Sequence, residues 1–148
     1  MLMPAVSIIL PLYNGRAFIK HMISAIRAQD FQDWEMLIIN DGSCDHGEEI
    51  AERAARRDPR IKVFHKPNGG ISSARNYGLC RASGAYIAFA DQDDTVGKHW
   101  LSALYSGMAG DTDLTAAGKK LTIQNAAGRA AASKIYRYKD SVLVTDEE

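Results

Sequence analysis

Short β-branched runs in this chain alternate with segments of helical period, and each run breaks off at a turn rich in polar or glycine residues. Val6 to Leu10 ends at Pro11, and after Tyr13-Asn14-Gly15 the apolar residues Phe18, Ile19, Met22, Ile23 and Ile26 recur at helical spacing. Trp34 to Ile39 runs into Asn40-Asp41-Gly42-Ser43, after which Asp45 and Glu48 read as a capping box opening a charged helix through Arg57, stopped by Asp58-Pro59. Ile61 to Phe64 is a third strand, Asn68-Gly69-Gly70 a turn and Ile71 to Arg81 a helix. Gly84 then precedes a fourth strand, Ala85 to Ala90, which runs straight into Asp91-Gln92-Asp93-Asp94, and His99 to Met108 reads as another helix. Strands separated by crossover helices predict parallel pairing through right-handed connections, in a mostly parallel sheet with helices on both faces. The fold class is therefore α/β and Rossmann-like.

Beyond Gly110 the pattern weakens into Ala, Gly and Thr, with strands expected at Leu121 to Ile123 and Ile135 to Tyr138. Residues 1–110 are expected to form the core, and 111–148 an incomplete C-terminal extension of the same domain. A length of 148 residues, 46% of them hydrophobic, suffices for one compact domain with its own core. Lys plus Arg equals Asp plus Glu at 18 each, leaving no field of one sign to attract a polyanion, so no nucleic-acid partner is expected. Two cysteines, Cys44 and Cys80, are too few for a disulfide scaffold and lack the paired spacing of a zinc site; both are expected to be reduced. No apolar run approaches the roughly 20 residues that cross a bilayer, and nothing marks secretion. A cytoplasmic location is expected, with a peripheral place at the inner membrane face left open.

In open parallel sheets ligands settle beyond the carboxyl ends of the strands. The four turns at Tyr13-Asn14, Asp41-Gly42-Ser43, Asn68-Gly69-Gly70 and Asp91 to Asp94 are therefore expected to converge on one edge. Asp41, at a strand tip beside a flexible glycine, could accept from a nucleoside base or ribose, where an unpaired buried polar group would be costly; the alternative is that Asp41-Gly42 simply makes the turn. The segment from Asn68 to Asn76 places two glycines, two hydroxyls and the Arg75 guanidinium around a helix start, an arrangement for a phosphate or an ordinary capped turn. Three carboxylates within four residues at Asp91, Asp93 and Asp94 repel one another unless compensated, and hard oxygen donors suit Mg²⁺ or Mn²⁺ carrying phosphate oxygens. A helix cap would need only one of them. The histidines His21, His46, His65 and His99 are scattered without ligand spacing, and Trp34 and Trp100 read as anchors of the core or an interface.

These segments, in this order, resemble the family 2 inverting glycosyltransferases with the GT-A fold. Val6 through Asn14 is similar to that family's opening strand and Pro-x-Tyr-Asn turn. Gln29 through Glu35, followed by Ile38-Ile39-Asn40-Asp41-Gly42-Ser43, is similar to its second unit. Asn68-Gly69-Gly70 through Gly78 and Gly84 through Ile87 lead to its Asp-x-Asp signature at Asp91 and Asp93. The resemblance spans about residues 5 to 110. It implies that Pro11, Tyr13 and Asp41 contact the nucleoside, with Asp41 meeting the base, and that Arg75 approaches the diphosphate. Asp91 would face the ribose or sugar, and Asp93, with Asp94, would coordinate Mn²⁺ or Mg²⁺. Asn40 stands where the family often has a second Asp.

What the resemblance implies is metal-assisted transfer of a sugar, with inversion, from a nucleotide-diphosphate sugar, with a lean to UDP, to a hydroxyl of a glycan or lipid-linked acceptor, as in cell-wall or polysaccharide biosynthesis. Such a transfer needs a general base, which in the family lies in a later acceptor-binding half. Only 54 residues follow Asp94, with Asp111, Asp113, Asp140 and the terminal Asp146-Glu147-Glu148 as the late acids. The expectation is a nucleotide-binding half without its acceptor half. Alternatives from other classes are a non-catalytic nucleotide-binding or assembly module and a metal-dependent nucleotidyltransferase, although the latter's Gly-rich basic opening loop is not found. A sheet cut short would leave an edge bare, so self-association through that edge or a poorly ordered tail after about Gly110 is also expected.

Overall fold

The computed structural model describes residues 2–108 and the backbone of three later strands at 119–124, 130–139 and 142–146. In chain order the elements are β1 (Val6–Leu12), α1 (Arg16–Arg27), β2 (Trp34–Asn40), α2 (Gly47–Arg57), β3 (Ile61–His65), α3 (Ile71–Leu79), β4 (Tyr86–Phe89), α4 (Trp100–Met108), β5 (Lys119–Gln124), β6 (Ala130–Lys139) and β7 (Val142–Asp146). They group into two compact units, Met1–His99 and Trp100–Glu148, where the sequence predicts one core through residue 110.

The first unit is built on a four-stranded parallel sheet in the order β3-β2-β1-β4. Its fold class is the α/β arrangement that the alternation predicts. β1 and β2 are buried at every position, as expected for central strands covered on both faces, and their apolar runs are accordingly continuous. On one face Ile9, Leu37 and Ile39 pack with Ala74 of α3, flanked by Phe64, Tyr77 and Ala82. Side-chain alternation places Ile8, Leu10, Met36 and Ile38, all fully buried, on the other face. Helix α1 buries Ile19, Met22, Ile23 and Ile26 and packs on α2, whereas Phe18, the fifth residue of the predicted stripe, is 47% exposed.

β1 continues to Leu12, through the proline that the sequence reading treats as its end. The Ile9 carbonyl accepts from Ala90 N–H on the β4 side, and the Leu12 carbonyl from Asp41 N–H on the β2 side. By that alternation the missing N–H of Pro11 falls on the β4 side, past the last pair Ile9–Phe89, where no ladder bond is lost. The predicted capping box is absent as well. His46, in a left-handed conformation at φ 62°, precedes α2, and Asp45 instead accepts from Gly47 N–H at 2.9 Å and from Arg16 N–H at 2.8 Å, tying the starts of α2 and α1 together. Helix α3 ends at Leu79, two residues short of the predicted Arg81.

The second unit holds α4 and an antiparallel sheet in the order β5-β6-β7, with Lys120 opposite Ile135, Tyr138 opposite Leu143, and a register shift at Ile123/Gln124. The expected strands at Leu121 to Ile123 and Ile135 to Tyr138 fall within β5 and β6. Gly110, Asp111, Asp113, Asp140, Glu147 and Glu148 lie outside the described residues. Among the described residues, no helix is long and apolar enough to cross a membrane.

Candidate functional site

A cavity of about 470 Å³ opens beyond the carboxyl ends of the first unit's strands, and all four predicted turns reach it. Pro11 and Tyr13 come from the end of β1 and the turn after it, and Asp41 from just past β2. Asn68, Gly70 and Ile71 come from the β3–α3 loop, and Asp91, Gln92 and Asp93 from the turn after β4. Five of the seven residues assigned from sequence therefore line one space; Arg75 and Asp94 are not part of the lining.

Asp41 is only 2% exposed, and its carboxylate takes three hydrogen bonds from the loop that follows β3. One oxygen accepts from Lys66 Nζ at 2.5 Å and Gly69 N–H at 3.0 Å, the other from Gly70 N–H at 2.9 Å. Asn68 Nδ2 adds a bond to the Asp41 carbonyl. Burial alone would push this carboxyl up, but the Lys66 hydrogen bond and the two glycine amides outweigh it, and its pKa falls below the ordinary carboxylate value. The Gly69 and Gly70 amides that the sequence reading offers to a phosphate thus hold Asp41. The turn needs glycine at 42: its φ is +77°, and a Cβ there would lie 2.9 Å from Asn68 N.

The turn after β1 is pinned from two sides. Asn14, at φ 48°, accepts at its side-chain oxygen from Cys44 N–H at 2.8 Å, and its own N–H donates to Ser43 Oγ at 3.1 Å. From the other side Gln92 bonds both the N–H and the carbonyl of Tyr13. Tyr13 itself is about half exposed over the cavity.

The acidic turn distributes its three carboxylates rather than gathering them. Asp91 pairs with Arg75 at 2.9 Å, and the guanidinium also stands over the Phe89 ring. Asp93 is exposed on the cavity wall, whereas Asp94 closes the turn through its N–H to the Asp91 carbonyl at 3.1 Å. Among the described residues no group of three His, Cys, Asp or Glu side chains is placed to hold a metal ion. Like charges this close separate unless a cation draws them together, so the trio forms no cage made of protein alone. Lys66 and Gln92 escaped the sequence reading. Neither carries a local signal, because one meets Asp41 across 25 positions and the other meets Tyr13 across 79.

The family model for glycosyl transferase family 2 matches residues 7–142. The EpsJ glycosyltransferase of Bacillus subtilis strain 168 is 50% identical over 95 residues, covering 64% of this chain and 28% of that protein. EpsH of the same organism, a putative glycosyltransferase by its description, is 37% identical over 111 residues, covering 75% of this chain and 32% of that protein. Among solved structures, residues 1–349 of S. aureus TarS superpose with a TM-score of 0.65 at 30% identity, covering 70% of this chain and 32% of that one. A complex of the same TarS segment with UDP-GlcNAc matches equally well. The chain thus spans about a third of the length of these relatives. With the model match running across most of its length, the chain belongs to glycosyl transferase family 2.

Proposed function

We propose that this chain is the donor-binding part of a glycosyltransferase, and that its cavity takes a nucleotide-diphosphate sugar with a UDP moiety for transfer to an acceptor hydroxyl with inversion. The observation that carries this reading is the convergence of the four strand-end turns on one cavity, with Tyr13 and Pro11 on one wall and Asp91 and Asp93 on another. TarS, similar in fold and sequence, has been crystallised with UDP-GlcNAc, which supports the same donor class here. Tyr13 and Pro11 offer surface to the nucleoside. Asp41 keeps the surrounding loop in place, and its second oxygen, which takes only the Gly70 N–H, has acceptor capacity left for a base. Arg75 pairs with Asp91 on the cavity wall without itself lining the cavity, and in this reading it is the cation nearest the diphosphate's negative charge.

The donor set fits a divalent cation held mainly by ligand. Mg²⁺ and Mn²⁺ prefer oxygen donors and commonly use one or two carboxylates plus substrate phosphates. Asp93 would hold it, assisted by Asp94. Bound there, such an ion supplies positive charge to the departing diphosphate. The acceptor-activating base is a separate matter. Of the three carboxylates on the cavity wall, Asp41 is committed to the loop and Asp91 to Arg75, so neither is suited to take a proton from an acceptor hydroxyl. This favours a second reading in which these 148 residues alone bind the donor without transferring it.

Titration calorimetry with UDP, with and without Mn²⁺, tests the proposal. The expected result is binding that Mn²⁺ strengthens in the parent chain and no longer strengthens in Asp93→Asn. No binding, or binding indifferent to both the metal and the substitution, overturns it.

A further inference from the structure

Gln92 occupies the unspecified middle position between Asp91 and Asp93, yet its amide makes a two-point bridge to the main chain of Tyr13. Tyr13 N–H donates to Oε1 at 2.9 Å, and Nε2 donates to the Tyr13 carbonyl at 2.9 Å. This is the pair of bonds that a neighbouring strand would make to that residue, supplied here by a side chain with one acceptor and two donor hydrogens. The bridge stands where the sheet has stopped doing the same work. β1 and β4 pair as far as Ile9–Phe89, the last main-chain bond between them runs from Ala90 N–H to the Ile9 carbonyl, and past it no ladder bond among the described residues sets the spacing between the turn holding Tyr13 and the turn holding Asp91 and Asp93. A second observation concerns Gly15. A Cβ there would lie 2.3 Å from Gln92 Oε1 and 2.7 Å from its Cδ, so a side chain at 15 would push the amide away from Tyr13.

We infer that Gln92 is a positioning residue that sets the gap between the nucleoside wall of the cavity and its carboxylate wall. The inference rests on the nucleotide-sugar reading of the cavity and makes a finer claim. A ligand that spans both walls depends on the bridge, and one that touches only the Tyr13 wall does not. Neither the amide nor its target backbone contributes charge, so the effect is one of alignment, and its loss costs affinity through misplacement of groups that are themselves unchanged.

Two variants separate this role from a general effect on folding. Gln92→Met keeps the bulk and removes both bonds, whereas Gln92→Glu keeps the acceptor for Tyr13 N–H and sets a carboxylate against the Tyr13 carbonyl. NMR titrations with UDP and with uridine, both in the presence of diamagnetic Mg²⁺, read the two ligand classes, and amide hydrogen exchange at Tyr13 reads the bridge directly. The expected result is a Kd for UDP raised about tenfold in Gln92→Met, the scale of two net hydrogen bonds, and raised about threefold or more in Gln92→Glu, which loses one, with uridine affinity changed less than about twofold in both and Tyr13 exchange accelerated in Gln92→Met alone. Equal weakening of UDP and uridine, or an unchanged Kd for UDP, overturns the positioning role while leaving the nucleotide reading intact. A parent chain that binds no UDP overturns that reading, and this role with it.

Discussion

Two buried carboxylates bracket β2, Glu35 near its start and Asp41 just past its end, and each ties distant segments together. Glu35 accepts from Ser7 Oγ at 2.6 Å, from Ser83 N–H and Oγ at 2.7 and 2.8 Å, and from Lys62 Nζ at 2.7 Å, while Ser7 Oγ in turn receives Gly84 N–H. Burial pushes its carboxyl up, but Lys62, Ser7 and Ser83 together hold the pKa down at about 2, against an ordinary value of 4.5. A carboxyl depressed on folding stabilises the native state above its unfolded pKa, and that contribution is lost as pH falls from about 4.5 towards 2. Urea unfolding of the parent chain should therefore show stability declining over that window, and Glu35→Gln should flatten the decline. Glu35→Ala, which leaves the Ser7 and Ser83 donors without their acceptor, should cost about 2–3 kcal/mol at neutral pH. Lys62, about half exposed, is a weaker partner, and Lys62→Met should cost no more than about 1 kcal/mol. An acid at each end of an apolar run is plain in the sequence. Their partners are not, because Ser83 lies 48 positions from Glu35 and Lys66 lies 25 from Asp41.

Helix α3 brings Arg75 to Asp91, and it can do so because its inner face is built from small residues. Ala74 and Gly78 are its buried positions, and a Cβ on Gly78 would lie 2.6 Å from Ile9 Cγ2 and 3.4 Å from Ile39 Cγ1. Both isoleucines are fully buried in the two central strands and have nowhere to move. Gly78→Ala should therefore destabilise the chain by up to about 2 kcal/mol, since overpacking of about 1–3 kcal/mol is offset by a helix-propensity gain of only about 1 kcal/mol. Thermal unfolding checks this, and an unchanged or raised Tm would mean that α3 does not rest on β1 as described. From the sequence, Gly78 is only an unfavourable residue inside a helical pattern; the isoleucines it accommodates are 69 and 39 positions away. The strands themselves were legible because β1 and β2 are buried on both faces and so read as unbroken apolar runs. The N-terminus of α2 was not, because Asp45 turned to the start of α1 in place of closing a box with Glu48.

At the scale of the whole molecule, β4 is the last strand of its sheet among the described residues, and Ile87 and Phe89 remain 39% and 47% exposed there. An apolar edge of this kind invites pairing with another chain. Light scattering should give a mass above the 16.2 kDa of one chain, falling towards it when a charge is placed on the edge by Ile87→Lys; a parent chain that stays monomeric at high concentration would contradict this. The succession of strands and helices along the chain and the polar tip of each run were set by the sequence alone, because periodicity and turn chemistry are local properties that neighbouring residues decide among themselves. Only the tertiary structure decided what each tip does. It turned Asp91 to Arg75, gave the Asp41 carboxylate to Lys66 and two glycine amides, left Asp93 exposed on the cavity wall and spent Gln92 on the backbone of Tyr13. Those outcomes depend on distances across the sheet, which a parallel register fixes between segments far apart in the chain and no local pattern records.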